Sequence, residues 1–532
     1  MATRLRSLVS GQRPEIKINL SERRQIYSTG DRIQGTVTIT APTDTPFDEL
    51  QVDFAGVTRT QLERMSTAGA VAGRPDALHQ FLKLTQPELS QHYPPNRVLK
   101  AGKAYNFPFL FVIPQQLLPR VCTHKVQNPL IRDAHLALPP TMGDREHAKK
   151  TKTPDDMTPE MASIRYGVFA KLVKTKIEEK TGEDGEKVYV ETGKTSLAAR
   201  ARKLRVVPKV DEQPPLMTGD EESEYIMRKE KPVRKGLIPK QTGTLVLEAE
   251  QPNSLHLQHF DNPEFRVSTH ASIMLRFDPV DGKATPPKLQ TLHSKLKVKT
   301  FYASTARYDF PAKPNSMSDL SQGYHVEQIN LSDRCVANVE WERHDAPKRQ
   351  PSPPRRDSAC SAVSLGNMGS TPAPSKEYKG GAYFTARLLV PISLPINKTF
   401  IPTFHSCLVS RIYQLRLSLE ISGNLPGQSA NLKLPIQISA DYSAAPSAPM
   451  RRNSASSIEE DDLDEAGVED FFRPRPMTQP VANLIGRSRI GQSAPQRSGV
   501  VSSSASEGEL EDDGTGPVVR RTEEDAPPEY RI

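Results

Sequence analysis

Apolar residues in this chain recur mainly at every second position. Ile33, Gly35, Val37 and Ile39 alternate with Gln34, Thr36, Thr38 and Thr40. Leu50, Val52 and Phe54 repeat the pattern up to Gly56, and Ile164, Tyr166, Val168, Ala170 and Leu172 repeat it again. Further on, Tyr413, Leu415, Leu417, Leu419 and Ile421 alternate with polar residues, followed by Leu432, Leu434, Ile436 and Ile438. A period of two describes a strand with one buried face and one wet face. Gly, Pro or Asn bounds these runs, as strand ends require. A sustained 3.6-residue repeat is rare, and one short helix is expected near Asp76–Leu84.

Short strands separated by turn residues predict an all-β chain of antiparallel sandwiches. One sandwich takes roughly 100–150 residues, so a strand-bearing body of about 430 residues predicts two in tandem, with long loops. Only 36% of the chain is hydrophobic and 47 residues are Pro, so part of it cannot bury enough to fold. The expected organisation is an N-terminal β-sandwich at 14–208, a charged linker at 209–235, a C-terminal β-sandwich at 236–443 and a disordered acidic tail at 444–532. Long loops are expected at Pro139–Pro159 and at 343–379, where PKRQPSPPRRDS and a Ser/Ala/Gly/Pro stretch read as disordered.

Charge divides along the same line. Residues 446–532 hold ten Arg, no Lys and 17 acidic residues, a net −7. The remainder therefore carries +15 of the total +8. Nucleic acid is not the expected partner, because the basic residues are not interleaved with stacking aromatics and no groove-entering helix is predicted.

No run of 18 apolar residues predicts a membrane-spanning helix, and no secretory or lipidation signal is read at either end. Cys122, Cys335, Cys360 and Cys407 are far apart without a CxxC pair, so no metal site is expected. GxSxG, HExxH and GxxxxGK[ST] are absent. The chain is therefore expected to be neither an enzyme nor the holder of a cofactor.

Several segments together carry a family resemblance. Tyr27-Ser-Thr-Gly30-Asp31-Arg-Ile33-Gln-Gly35-Thr-Val37 resembles the signature hairpin of the arrestin N-terminal sandwich. Gly30-Asp31 makes its turn, and Gly35 lets a neighbouring backbone approach. Leu50–Gly56 resembles the next strand. Ala101-Gly102 through Phe107-Pro108-Phe109-Leu-Phe111-Val-Ile-Pro114 resembles the family's "aG…fpF.F.iP" strand, and Leu138–Thr141 with Ile164–Val168 resembles the return. Ile401-Pro402, Ile412–Leu417 and Leu434–Ile436 resemble the end of an arrestin C-domain. The long insertions are more similar to fungal-type arrestin-related trafficking adaptors, the alpha-arrestins, than to visual arrestins. The polar core of the visual arrestins has no assignable counterpart in the sequence.

Pro527-Pro528-Glu529-Tyr530 is a PPxY motif, and composition alone gives about 0.1 such matches in a chain of this length. Two prolines hold a polyproline II turn, and Tyr fills a second pocket of the aromatic groove of a WW domain. The resemblance implies that Pro527, Pro528 and Tyr530 recruit a WW-domain HECT-type ubiquitin ligase. The last lysine is Lys433, so any ubiquitin acceptor is expected in the body.

Ser454 follows Arg451-Arg452 and Ser358 follows Arg355-Arg356, which makes both candidate phosphosites for an Arg-directed kinase and docking points for a phosphoserine-binding regulator. Lys295, Lys297 and Lys299 at i, i+2 and i+4 predict a one-sided basic row on a strand, suited to acidic cargo or anionic headgroups. An ordinary solvated sheet face is the alternative. The function implied is a cytoplasmic adaptor, recruited to the plasma membrane or endosomes. It would link integral membrane transporters or receptors to the ligase and so promote their ubiquitination and endocytosis. A non-catalytic trafficking scaffold of the same fold without ligase recruitment is the competing reading.

Overall fold

The computed structural model describes residues 13–22, 24–62, 76–181, 187–215, 224–235, 240–258, 266–281, 284–312, 319–345, 371–422, 429–442 and 462–473. The N-terminal half contributes strands β1 (Glu15–Leu20), β2 (Arg32–Thr40), β3 (Thr45–Pro46), β4 (Glu49–Gln61), β5 (Asp76–Thr85), β6 (Val98–Leu99), β7 (Ala104–Val112), β8 (Ala162–Thr181) and β9 (Lys187–Leu204). It also contains helices α1 (Pro129–Leu136) and α2 (Arg145–Thr151). The C-terminal half contributes β10 (Arg228–Lys235), β11 (Lys240–Ala249), β12 (Leu255–Gln258), β13 (Ser268–Pro279), β14 (Leu289–Ala303), β15 (Gln322–Cys335) and β16 (Glu342–His344). It continues with β17 (Tyr383–Ser393), β18 (Phe404–His405), β19 (Val409–Ile421), β20 (Ser429–Ile436) and β21 (Ile438–Asp441). Strand β22 (Asp462–Leu463) and helix α3 (Glu465–Phe471) follow.

Two sandwiches result, as the alternation predicts. In the first, the sheet β1-β2-β7 faces the sheet β22-β9-β8-β4-β5. Ile33, Val37 and Ile39 of β2 point inward with Phe107, Phe109 and Phe111 of β7. They meet Val52 and Phe54 of β4 and Tyr166 and Val168 of β8. Phe54 lies 6.0 Å from both the Phe111 and the Tyr166 ring, within the range of favourable aromatic pairs. In the second sandwich, β10-β11-β13-β17-β16 faces β15-β14-β19-β18, with β20 also paired to β19. Leu245, Ile273, Phe277 and Val390 of one sheet pack with Leu296, Leu415, Leu417 and Leu434 of the other.

Two glycines are explained by close approach. A Cβ on Gly35 would stand 2.2 Å from the Asn19 carbonyl and 2.6 Å from the Phe109 ring, so β1, β2 and β7 can draw together only with hydrogen at this position. A Cβ on Gly56 would stand 2.5 Å from the Phe81 ring.

Gly56 also explains why the helix expected at Asp76–Leu84 is instead strand β5. Gly56 opposes Leu82 while Val57 opposes Gln80, so Phe81 is the extra residue of a β-bulge. The bulge leaves Phe81 and Leu82 consecutively buried, which breaks the period of two and imitates a helical spacing. The charged linker expected at 209–235 is also shorter than the sequence predicts. Arg228–Lys235 pairs with β11, because its residues have a free sheet edge to join. The loop at Pro139–Pro159 contains α2, whose N-cap Asp144 accepts from the His147 amide at 3.3 Å.

This loop lies against both sandwiches. Asp144 accepts from Lys203 Nζ at 3.0 Å and has Arg165 Nε at 4.0 Å, all three side chains being buried. Burial alone would raise the Asp144 carboxyl, but Arg165 and Lys203 overcome it and hold it below its ordinary value of 3.8. On the other side, Lys398 of the C-terminal half donates to Asp155 at 2.8 Å, and the fully buried Arg411 donates to the Asp156 carbonyl at 3.1 Å and to Thr158 Oγ1 at 2.9 Å. Between these groups lies a cavity of about 410 Å³, lined in part by Asp144, His147, Asp155, Arg205 and Ile401.

Two outcomes follow. Gly56→Ala should cost about 1–3 kcal/mol in denaturant unfolding. Combined with Phe81→Ala it should cost less than the sum of the two single changes; full additivity would contradict the contact. Asp144→Asn should cost about 3 kcal/mol at neutral pH, because it leaves two buried cations short of their counter-charge. The carboxyl is depressed in the fold, so below about 3.8 the unfolded chain binds the proton first. The stability gap between wild type and variant should therefore be full above that value and close as pH falls through the folded pKa.

Candidate functional site

The sequence directs attention to a basic row on β14, and the structure redraws it. Lys295, Lys297 and Lys299 do share a face of the strand. Lys299, however, is buried, ion-paired with Glu224 and set 5.8 Å from the Tyr225 ring. It is a structural cation rather than a surface one, because β14 is a central strand and this end of it is covered by the segment carrying Glu224 and Tyr225. Lys297 is half-buried.

The basic row runs across the strands instead. Lys295 pairs in register with Arg416 of β19, and Arg416 pairs with Lys433 of β20. Three like charges placed directly opposite one another repel, so the arrangement costs stability unless an anion faces it. All three side chains are half-buried, and none has an acidic partner among the described residues. A cavity of about 190 Å³ opens beside them, lined by His293, Lys295, Gln328, Arg416, Ser418 and Asn431. His293 at its rim is held toward the protonated form by its hydrogen bond to Asp333 at 2.7 Å and its contact with Glu420 at 3.3 Å. Cross-strand register cannot be read from spacing along one strand, which is why the sequence finds Lys295 but not Arg416 and Lys433 beside it.

A second feature concerns the acidic tail. No structure is expected after Ala444, yet residues 462–473 form β22 and α3. Asp462 and Leu463 pair with Arg202 and Ala201 on the edge of the five-stranded sheet. Asp462 carboxylate oxygens lie 3.5 Å from Arg200 and 3.8 Å from Arg202. Arg59 donates to the carbonyls of Asp470 and Arg473, so a buried guanidinium takes up the orphan acceptors at the end of the helix. Phe471 is 1% exposed, and its ring lies 4.8 Å from that of Phe169. Leu463, Val468, Phe471 and Phe472 supply the apolar face within a run of acidic residues. That spacing is a short helical signal which overall composition conceals.

Pro527, Pro528, Tyr530, Ser358 and Ser454 lie outside the described residues. Two of the four cysteines, far apart along the chain, come together in space: Cys122 and Cys407 meet, with His124 and His135 beside them. Among the described residues, no helix is long and apolar enough to cross a membrane.

No curated protein matches the chain. Residues 16–184, from β1 to the β8–β9 connection, match the family model of the arrestin (or S-antigen) N-terminal domain. Residues 369–440, which include β17 to β20, match the model of the Bul1 C terminus. Bul1 is a yeast family of arrestin-related trafficking adaptors. With these two matches in order along two tandem sandwiches, the chain carries an arrestin-like N-terminal domain and a Bul1-like C-terminal segment, an arrangement similar to that of arrestin-related trafficking adaptors of the fungal alpha-arrestin type.

Proposed function

We propose that this adaptor links integral membrane cargo to a WW-domain HECT-type ubiquitin ligase, promoting ubiquitination and endocytosis of the cargo. The observation that carries the reading is Pro527-Pro528-Glu529-Tyr530 on a chain whose folded part is arrestin-like with a Bul1-type C terminus. The Bul1 family is associated with a ubiquitin-ligase adaptor role. A single PPxY buries few groups and has to order on binding, so its affinity is modest and clustered cargo raises occupancy. The chain supplies position rather than chemistry: holding ligase and acceptor lysine together raises their effective concentration. No lysine follows Lys433, so the acceptor on the adaptor itself would be in the body and not in the acidic tail.

The anionic side of this reading rests on Lys295, Arg416 and Lys433, a row suited to an acidic cargo segment or to headgroups of the cytoplasmic leaflet. Phosphorylation of Ser454 or Ser358 would add about −1.5 to −2 charge beside paired arginines and give a phosphoserine-binding regulator its handle. The place of action in this reading is the cytoplasm, with recruitment to the plasma membrane or endosomes.

Proximity labelling in cells with Tyr530→Ala should lose the HECT ligase and retain membrane transporters. Unchanged ligase recovery would sink the ligase reading. If cargo traffic is normal after deletion of 527–532, the chain acts as a scaffold without the ligase. A separate measurement addresses the basic row. Changing Lys295, Arg416 and Lys433 to Gln should weaken sedimentation with phosphatidylserine or phosphoinositide vesicles on the order of 100-fold, at about 1 kcal/mol per base. Binding that is insensitive to salt would exclude an electrostatic contact.

A further inference from the structure

The loop that enters α1 belongs to the first sandwich, and the β18–β19 hairpin belongs to the second. Together they deliver four soft ligand atoms to one point. Cys122 Sγ lies 3.2 Å from His124 Nε2 and 3.7 Å from His135 Nδ1. His124 Nε2 lies 3.4 Å from Cys407 Sγ, although the two residues are 283 positions apart in the chain. All four ligand atoms fall within 4.8 Å of one another.

Zinc geometry supplies the comparison. With Zn–S of about 2.3 Å and Zn–N of about 2.0–2.1 Å, a tetrahedral site sets neighbouring sulfur and nitrogen about 3.6 Å apart and its two sulfurs about 3.8 Å apart. The sulfur–nitrogen separations of 3.2, 3.4 and 3.7 Å surround that value.

Hydrogen bonding among these side chains accounts for the cluster poorly. His124 Nδ1 lies 3.0 Å from the Lys125 carbonyl, and as the donor of that bond it leaves Nε2 with one lone pair. Two sulfurs nevertheless approach that single Nε2. A thiol is a weak donor, so even with Cys122 turned to His135 Nδ1 and Cys407 to His124 Nε2 these bonds hold the four groups weakly, whereas a cation at the centre takes all four atoms at once. The Nδ1-to-carbonyl bond is the outer support that metal-bound histidines regularly have.

Cys122, His135 and Cys407 are buried and His124 is half-buried, among Leu117, Leu136, Phe404 and Leu408 of the first core. Two thiolates neutralise a divalent ion, so the loaded site adds no net charge to these apolar surroundings.

We propose that Cys122, His124, His135 and Cys407 bind one zinc ion in a closed tetrahedral site that fastens the second sandwich to the first. Four protein ligands leave no open position, so the ion is structural and not catalytic. It ties a loop of one sandwich to a hairpin of the other, and metal binding at such a place is coupled to folding.

The test uses the full chain, purified under reducing conditions without chelator. Elemental analysis should find about one zinc per chain, and Cys407→Ser should retain little of it. Cobalt exchanged into the wild-type chain should give thiolate-to-metal charge-transfer bands with the strong d–d absorption of tetrahedral coordination. Those bands report on the native sequence even where a serine variant fails to fold. A chelator should lower the melting temperature of the wild type, and zinc should restore it. Absence of zinc from the isolated chain together with no uptake at micromolar zinc would overturn the site. So would a Cys122–Cys407 disulfide in freshly isolated protein, or a cobalt spectrum without thiolate bands.

Discussion

The joint between the two sandwiches is the hairpin Phe404–Val409. It starts and ends in the second sandwich, but Phe404, Cys407, Leu408 and Val409 are part of the first hydrophobic core. Met157 and Val207 make the reverse exchange and join the second core. Neither core is complete without the other half of the chain. This is unlike two beads on a linker, for which relative motion is the default expectation. The loop at this seam carries the buried Asp144–Lys203–Arg165 group, where desolvation makes an unmatched charge costly, and the more exposed Asp155–Lys398 pair.

How far the sequence could be read depended on how local each feature is. Alternation at Ile33–Ile39, Ile164–Leu172 and Tyr413–Ile421 required only neighbouring residues, and those strands form as expected. Gly35 was interpretable because a glycine within a strand has few explanations, and its close contacts with Asn19 and Phe109 confirm the one chosen. Features that require pairing between distant strands were not readable. The bulge at Phe81 made a strand resemble a helix. The Lys295–Arg416–Lys433 row exists only once three strands are in register. The meeting of Cys122 and Cys407 depends on a hairpin of one sandwich entering the other.

The charge division has also become more specific. The basic excess of the body is partly internal: Lys203, Lys299, Arg276 and Arg411 are buried and hold polar or acidic groups in place. The acidic tail is partly spent in the same way, since Asp462 lies against Arg200 and Arg202, and Glu465 pairs with Arg13. Formal net charge therefore overstates what either part presents to a partner, and only cations without such neighbours are available for recognition.

The packing of α3 against the five-stranded sheet bears on the alternation itself. Ala55, Val57, Phe169 and Ala201 form a small cluster apart from the main core, and Phe471 closes it. Where that happens the domain is three layers thick, and β4 is buried on both faces. Its pattern changes accordingly, from strict alternation up to Phe54 to continuous burial from Ala55 onward. A strand that loses its period of two midway thus marks, in one dimension, the place where another layer lies. The continuous run that follows Phe54 in this chain is the imprint of a segment more than four hundred residues away.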